Sequence, residues 1–347
     1  METDQLDLAL GVFAATAPEF GQFGLSNHGP MASEVLERFG RTDAIADWVA
    51  AYRGNLDPAP PPADKPLDED EWPAALGAPA RFAEWLALFE KEMADRPVAA
   101  VVGEWVPRLA PGTVGAATHG LIRTAHGLRA LGVADTPPRR LEVATGLAYW
   151  ASRYQELPGP PLLIGHQSVP EALADLPYLP EETPEEFLIS ATVAHVADIP
   201  EEFEQAVASL GYGGDALALL DALAVGGARA YLRNAGGGHA VALVHAVTAP
   251  LALELVLPWL GEEDHTAVLA YAWQAVAAIH VAFDVDRSGP VGDIGDPPSS
   301  DALIEQALGS GDAHALKLTE AALRCHARTQ EPALLQAAAD ASIRLTA

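Results

Sequence analysis

Eleven histidines are spread over 347 residues, and several stand in apolar or turn-forming text where an imidazole has chemistry open to it. His28 lies in SNHGPM. Asn27 and Gly29 suit a turn and Pro30 suits a helix start, so the ring sits at the mouth of a helix. Its bland role is a cap or a bond to a nearby carbonyl; its chemical role is a metal ligand. His119 and His126 share THGLIRTAHGLRAL. Seven residues apart, they lie near one stripe of a helix, about 10.5 Å from each other along its axis. At most one of them can ligate a given ion directly. The other lines a pocket or is a satisfied core histidine. Arg123, on a neighbouring stripe, could hold an anion or a carbonyl, or make a salt bridge. His239 and His245 stand in GGGHAVALVHAVTAP and point to different helix faces, so only one shares a site. A buried His245 needs a polar partner. His280, in AAIHVAF, reads as a core residue sooner than a ligand.

His314 and Lys317 in GDAHALKLTEA are neighbours on one helix face. A lysine in such an apolar run must meet a carboxylate, lose its proton or be modified. Glu320 is the simple partner. The chemical alternative is reaction with carbon dioxide to give a carbamate, which turns a cation into a carboxylate-like ligand.

Other constellations carry less. His166 and His195 adjoin Pro- and acid-rich loops and suit surface or cap roles, while His265 and His326 look exposed. The one E-x-x-H pair, Glu262 and His265, stands in the acidic text GEEDH and reads as a solvated turn. Cys325 adjoins His326, but adjacent helical residues point about 100° apart, which argues against a Cys–His pair. There is no G-x-G-x-x-G, no G-x-x-x-x-G-K-[ST], no G-x-S-x-G and no H-E-x-x-H. One cysteine excludes an internal disulfide and a multi-thiolate zinc site and fits a reducing cytoplasm. The formal net charge of −28 disfavours nucleic acid and anionic membrane surfaces as partners. The first twenty residues lack the basic start of a signal peptide, and no uncharged apolar run reaches about 18 residues.

The elements that must position these residues are helices. Apolar residues recur at three- and four-residue spacing in 31–53 and 79–94. Ala- and Leu-rich segments follow at 113–131, 139–154, 215–232, 239–259, 265–283, 301–308, 313–328 and 331–345. LLIGH at 162–166 is the best strand text. The Pro- and acid-rich stretch 54–73 reads as a surface excursion, 155–187 as a crossing between two lobes, and 284–300 as a long loop. The expectation is a mainly α, single compact multi-helix domain over 1–347, with two helical lobes around a central metal site.

Taken together, SNHGPMASEVLERFG, WVPRLAPGTVGAATHGLIRTAHGLRAL, LAYWASRY, HAVTAP and GDAHALKLTEA resemble the questin oxidase-like family, in the same order over roughly residues 10–330. That family includes fungal enzymes that oxidatively open anthraquinone rings, in reactions described as NADPH-linked. Its members use a non-haem iron held by histidines and a carboxylated lysine in a mostly helical fold. The resemblance implies His28, His119, His245, His314 and Lys317 as metal ligands. It leaves His126 and Arg123 as residues at the reacting centre, with Trp150 and Tyr154 as further pocket residues. Asn27, Thr248 and Glu320 are available to accept from ligand ring nitrogens. Fungal members tend to carry an aromatic near the position of His126, a departure that bears on the substrate.

The reading is an Fe(II)-dependent oxygenase that cleaves or oxygenates a planar hydroxylated aromatic polyketide with O2. Any NADPH would act through a separate reductase or by reducing the substrate first. The alternatives are a zinc or manganese hydrolase with the same ligands and a non-catalytic helical binding protein.

Overall fold

The structure is a computed structural model and describes residues 4–68, 70–184, 186–287, 289 and 295–346. Parts of the expected loop 284–300, at 288 and 290–294, lie outside the described residues. The mainly α expectation holds: among the described residues there are seventeen α-helices and one two-stranded ribbon. Backbone contacts divide the chain into two units, Met1–Gln155 with Leu255–Gly261, and Glu156–Glu254 with Glu262–Ala347.

The first unit holds α1 (Gln5–Phe13), α2 (Gly29–Arg38), α3 (Ile45–Tyr52), α4 (Trp72–Ala75), α5 (Phe82–Asp95), α6 (Val98–Leu109), α7 (His119–Val133) and α8 (Pro137–Ser152). The strands β1 (Glu19–Phe20) and β2 (Leu25–Ser26) pair antiparallel between α1 and α2. The Asp4 carboxylate caps α1 by accepting from the Leu6 and Asp7 amides. Helices α7 and α8 pack at close range because small residues face each other. A Cβ on Gly120 would fall 2.5 Å from the Trp150 Cα, and one on Gly146 would fall 2.8 Å from the Thr124 Cα. Arg139 of α8, 1% exposed, ties this pair to the N-terminal helices. It donates to Asp4, Asp7 and Glu37 and to the Ala130 carbonyl. A buried guanidinium with several acceptors of this kind has its desolvation offset by charge-assisted bonds.

The second unit holds α9 (Val169–Ala174), α10 (Ile189–Ala194), α11 (Pro200–Val207), α12 (Ala216–Asn234), α13 (Ala240–Val256), α14 (Glu262–Phe283), α15 (Ser300–Ser310), α16 (Ala313–Thr329) and α17 (Pro332–Arg344). Asp215, Ser299 and Asp312 cap α12, α15 and α16 with side-chain acceptors. The run Ala240–Trp259 and helix α14 have the length and hydropathy of a membrane span. Each has 83% of its most apolar window buried, the pattern of a core helix in a folded protein.

Several sequence expectations change. The segment 31–53 is two helices, parted where Gly40 takes φ +70°. The helix expected from 113 starts at His119, because Ala116, Ala117 and Thr118 are all left-handed. LLIGH forms no strand: Ile164 and Gln167 make only isolated bridges to Gly211 and Leu210. Helices α1, α6 and α9–α11 go beyond the expected set; α6 hides behind its β-branched residues and Pro107. Glu262 and His265 lie in the first turn of α14 rather than in a turn outside a helix, and the residues expected to be exposed, His265 and His326, are half-buried.

Candidate metal centre

In the first unit, His28 and His119 meet. Asn27 fixes the approach to His28: its Oδ1 accepts from the Gly29 amide, and its Nδ2 donates to Thr16 and to the Ala17 carbonyl. The His28 amide donates to the Tyr52 hydroxyl. Gly29 must lack a side chain, because a Cβ there would fall 2.3 Å from the Phe13 ring. His28 then caps α2 with its ring directed to the start of α7.

His119 is set by a strained backbone. Three consecutive residues with side chains, Ala116, Ala117 and Thr118, have φ of 46°, 54° and 66°. Each left-handed L-residue costs about 1–2 kcal/mol, and such strain persists only where surrounding contacts hold it. The neighbouring contacts are close: a Cβ on Gly115 would fall 1.9 Å from the Arg153 carbonyl oxygen. The result is that the Ala116 carbonyl turns back to accept from His119 Nδ1 at 2.6 Å. That bond puts the ring proton on Nδ1 and leaves a lone pair on Nε2. This Nε2 lies 2.7 Å from His28 Nε2, with the two rings stacked at 4.7 Å between centroids. Two ring nitrogens converging in this way can share one proton or face one cation.

In the second unit, His245 of α13 and His314 of α16 lie edge to face, with centroids 5.7 Å apart. His245 is fully buried. His314 follows the α16 cap: Asp312 accepts from the His314 and Ala315 amides, and its Oδ1 lies 3.5 Å from His314 Nδ1. Burial pulls the His314 pKa below the ordinary imidazole value, with Asp312 opposing and Lys317 adding to the fall. The neutral ring that results is the form that ligates a metal.

Lys317 stands one turn along the same helix at 1% exposure, and its Nζ has no hydrogen-bond partner among the described residues. Burial lowers its pKa from 10.5 to about 7, with Asp312 opposing only in part. Glu320, the sequence's simple partner for it, pairs instead with Arg324 at 3.0 Å.

Arg123 and His126 are both engaged by buried carboxylates. Arg123 makes a two-pronged pair with Glu142 of α8, at 2.7 and 3.0 Å. His126 Nδ1 lies 2.7 Å from Glu34 of α2, which also accepts from Arg129. Burial acts to raise the Glu34 pKa, but Arg129 and His126 outweigh it and hold the carboxyl below its usual value. His28–His119 and Glu34–His126 thus form two successive rungs between α2 and α7. Trp150 packs on Gly120, and the Tyr154 ring occupies the space a Cβ on Gly112 would need. Thr248 turns its hydroxyl to the Val244 carbonyl. Asn27 is spent on the backbone of its own turn.

The remaining histidines keep local partners: His195 with Asp198, His280 with Asp284, His326 with the Glu331 carbonyl, and His239 against Phe283. His166 is exposed. Cys325 is buried, its thiol donating to Asp221, and burial followed by that carboxylate pushes its pKa up to about 12. Such a thiol is a poor nucleophile.

Sequence reasoning passed over Glu34, Glu142, Asp312 and the left-handed run at Ala116–Thr118. The two glutamates carry the signal that drew notice to Lys317, a charge among apolar helical neighbours. Asp312 carries the signature of a helix cap two residues before His314. The left-handed run has no signal, since neither Ala nor Thr favours that conformation.

No family model matches the chain, and no curated protein resembles it at a significant level.

Proposed function

We propose that the chain is a non-haem iron enzyme whose ligands are His28, His119, His245, His314 and Lys317, the last as a carbamate. The observation that carries this reading is the Lys317 amine, buried among helices with no partner for its nitrogen. An unpaired buried ammonium costs several kcal/mol, and proteins avoid it by neutralisation or by a counter-charge. With its pKa near 7, a large share of Lys317 is the neutral amine at physiological pH. The neutral amine attacks carbon dioxide: an N–C bond forms, one proton leaves the nitrogen, and an anionic carbamate remains. Such an anion beside neutral imidazoles is a donor set suited to Fe(II).

The surrounding residues prepare those donors. The Ala116 carbonyl holds the His119 proton on Nδ1, so Nε2 stays available. Asp312 fixes the first turn of α16 and thereby the His314 ring. Glu34 and Glu142 hold His126 and Arg123 in place, so that each could orient a substrate oxygen without moving.

Bound iron would supply redox chemistry toward O2. The substrate class, a planar hydroxylated aromatic polyketide such as a hydroxyanthraquinone, rests on the questin oxidase-like resemblance. With no nucleotide fingerprint in the chain, any NADPH dependence is assigned to a separate reductase or to prior reduction of the quinone. A cytoplasmic location is part of the same proposal.

The test is to incubate iron-loaded protein with a hydroxyanthraquinone reduced beforehand to its hydroquinone, in air and under argon. Oxygen-dependent loss of the ring system, with uptake of O2, supports the reading. Equal turnover under argon would replace it with metal-assisted hydrolysis, and no turnover with any reduced or oxidised anthraquinone would remove the substrate class.

A further inference from the structure

A second site lies within the second unit. Helices α9, α12 and α14 and the end of α16 enclose a cavity of about 570 Å³, within the range of small-molecule pockets. Its lining residue Thr329 is fifteen residues beyond His314 on α16, about 22 Å along the helix axis, so it is separate from the proposed metal ligands.

The walls are apolar on one side, with Val169, Leu173, Ala222 and Val225, and polar on the other. All three lining carboxylates already have cationic partners. Asp221 pairs with Arg328, Glu331 with Arg229, and Asp284 with Arg233 and His280. The lining cation Arg287 has no carboxylate in ion-pair contact among the described residues. Its terminal nitrogens donate to the carbonyls of Leu176, Pro177 and His280, and its guanidinium lies over the Tyr178 ring. A half-buried guanidinium held by carbonyls alone keeps its positive charge uncompensated.

Three nitrogens on the lining residues have no hydrogen-bond partner among the described residues: Arg287 Nε, Arg233 Nε and His280 Nε2. The first two are donors. His280 is 1% exposed, and its Nδ1 faces Asp284 at 3.1 Å, which places the ring proton there and makes Nε2 an acceptor. Buried polar atoms of native proteins are paired, so these three describe the group that pairs them. It must bring acceptors and one negative charge for the guanidinium side, a hydroxyl proton for His280, and an apolar body for the valine and leucine wall.

We infer that this cavity binds a small hydroxylated organic monoanion, with its anionic oxygens on Arg287 and Arg233 and its hydroxyl donating to His280 Nε2. On a chain with formal charge −28, an anion is attracted only where such a cation is recessed and uncompensated.

The test is titration calorimetry of the full-length protein with 4-hydroxybenzoate, benzoate and 4-hydroxybenzamide. The first carries both groups, the second lacks the hydroxyl and the third lacks the charge. Saturable binding of 4-hydroxybenzoate at one site per chain is expected, with each of the other two weaker by about tenfold or more, as for a buried polar contact left unmade. Ala222→Trp should fill the cavity and abolish binding without changing iron content or the far-ultraviolet circular dichroism. His280→Gln should bring 4-hydroxybenzoate down to the affinity of benzoate. No saturable binding of 4-hydroxybenzoate, equal affinity for the uncharged amide, or binding that survives Ala222→Trp would each overturn the inference. Iron content is read separately, so a failure of the metal reading leaves this result intact.

Discussion

His28 and His119 bring their Nε2 atoms to 2.7 Å, with the His119 Nδ1 proton committed to the Ala116 carbonyl. The contact is made by a turn at one side and a strained entry to a helix at the other. A histidine whose tautomer is fixed by a backbone carbonyl presents the remaining nitrogen as a ligand. The same geometry ties local backbone strain to the availability of that nitrogen.

Relief of that strain is measurable. Ala116→Gly should leave the melting temperature unchanged or raise it by a degree or two. Release of about 1–2 kcal/mol of left-handed strain offsets the roughly 1 kcal/mol entropic cost of glycine. Ala125→Gly, inside α7, is the control and should destabilise by about 1 kcal/mol or more. A clear loss of stability in Ala116→Gly would contradict the strained entry.

Lys317→Met separates folding from metal binding. In metal-free protein, replacing a buried unpartnered amine by a thioether of similar shape should stabilise by on the order of 1–3 kcal/mol. The same variant should lose iron. Thermal unfolding in chelator, together with iron analysis, checks both. Destabilisation of the metal-free protein by Met would mean that the amine has a partner that holds it.

The pH dependence follows from the same residue. Its folded pKa is about 7 against 10.5 for the model value, so between these limits the unfolded chain binds more protons than the folded one. Stability then rises with pH through that window, by at most about 1.4 kcal/mol per pH unit for one proton. Below pH 7 both states are protonated and the contribution is flat. In carbonate-free buffer with chelator, the difference in unfolding free energy between wild type and Lys317→Met should therefore shrink from pH 7 to pH 9. A constant difference would contradict the lowered pKa.

The Glu34–His126 rung gives a contrast. Glu34→Ala takes the carboxylate from both His126 and Arg129 and should cost about 3–5 kcal/mol, as for one partner of a buried pair. His126→Ala should keep its iron. Loss of iron in His126→Ala, with the fold intact by circular dichroism, would show that the ligand on α7 is His126 and not His119.

Much of the helical architecture was legible in the sequence because Ala, Leu and apolar spacing set it. The rule that only one of His119 and His126 can serve a given ion also followed from helix geometry, and the structure gives the two rings different partners, His28 and Glu34. The burial of Lys317 was legible from its apolar neighbours. The start of α7 was not, because the left-handed run at Ala116–Thr118 is imposed by packing around Gly115 and no propensity encodes it. Nor were the pairings Arg123–Glu142 and Glu34–Arg129, which join residues 19 and 95 positions apart. The ion-pair logic at Arg287 likewise depends on which carboxylates the fold assigns to other cations.

The most direct measurement is elemental analysis of untagged protein after anaerobic Fe(II) reconstitution in bicarbonate buffer, with His119→Ala and Lys317→Met alongside. The account predicts about one iron per wild-type chain and a large loss in both variants, as expected when a ligand is removed. Absence of iron from the wild type, or full occupancy in Lys317→Met, would contradict it.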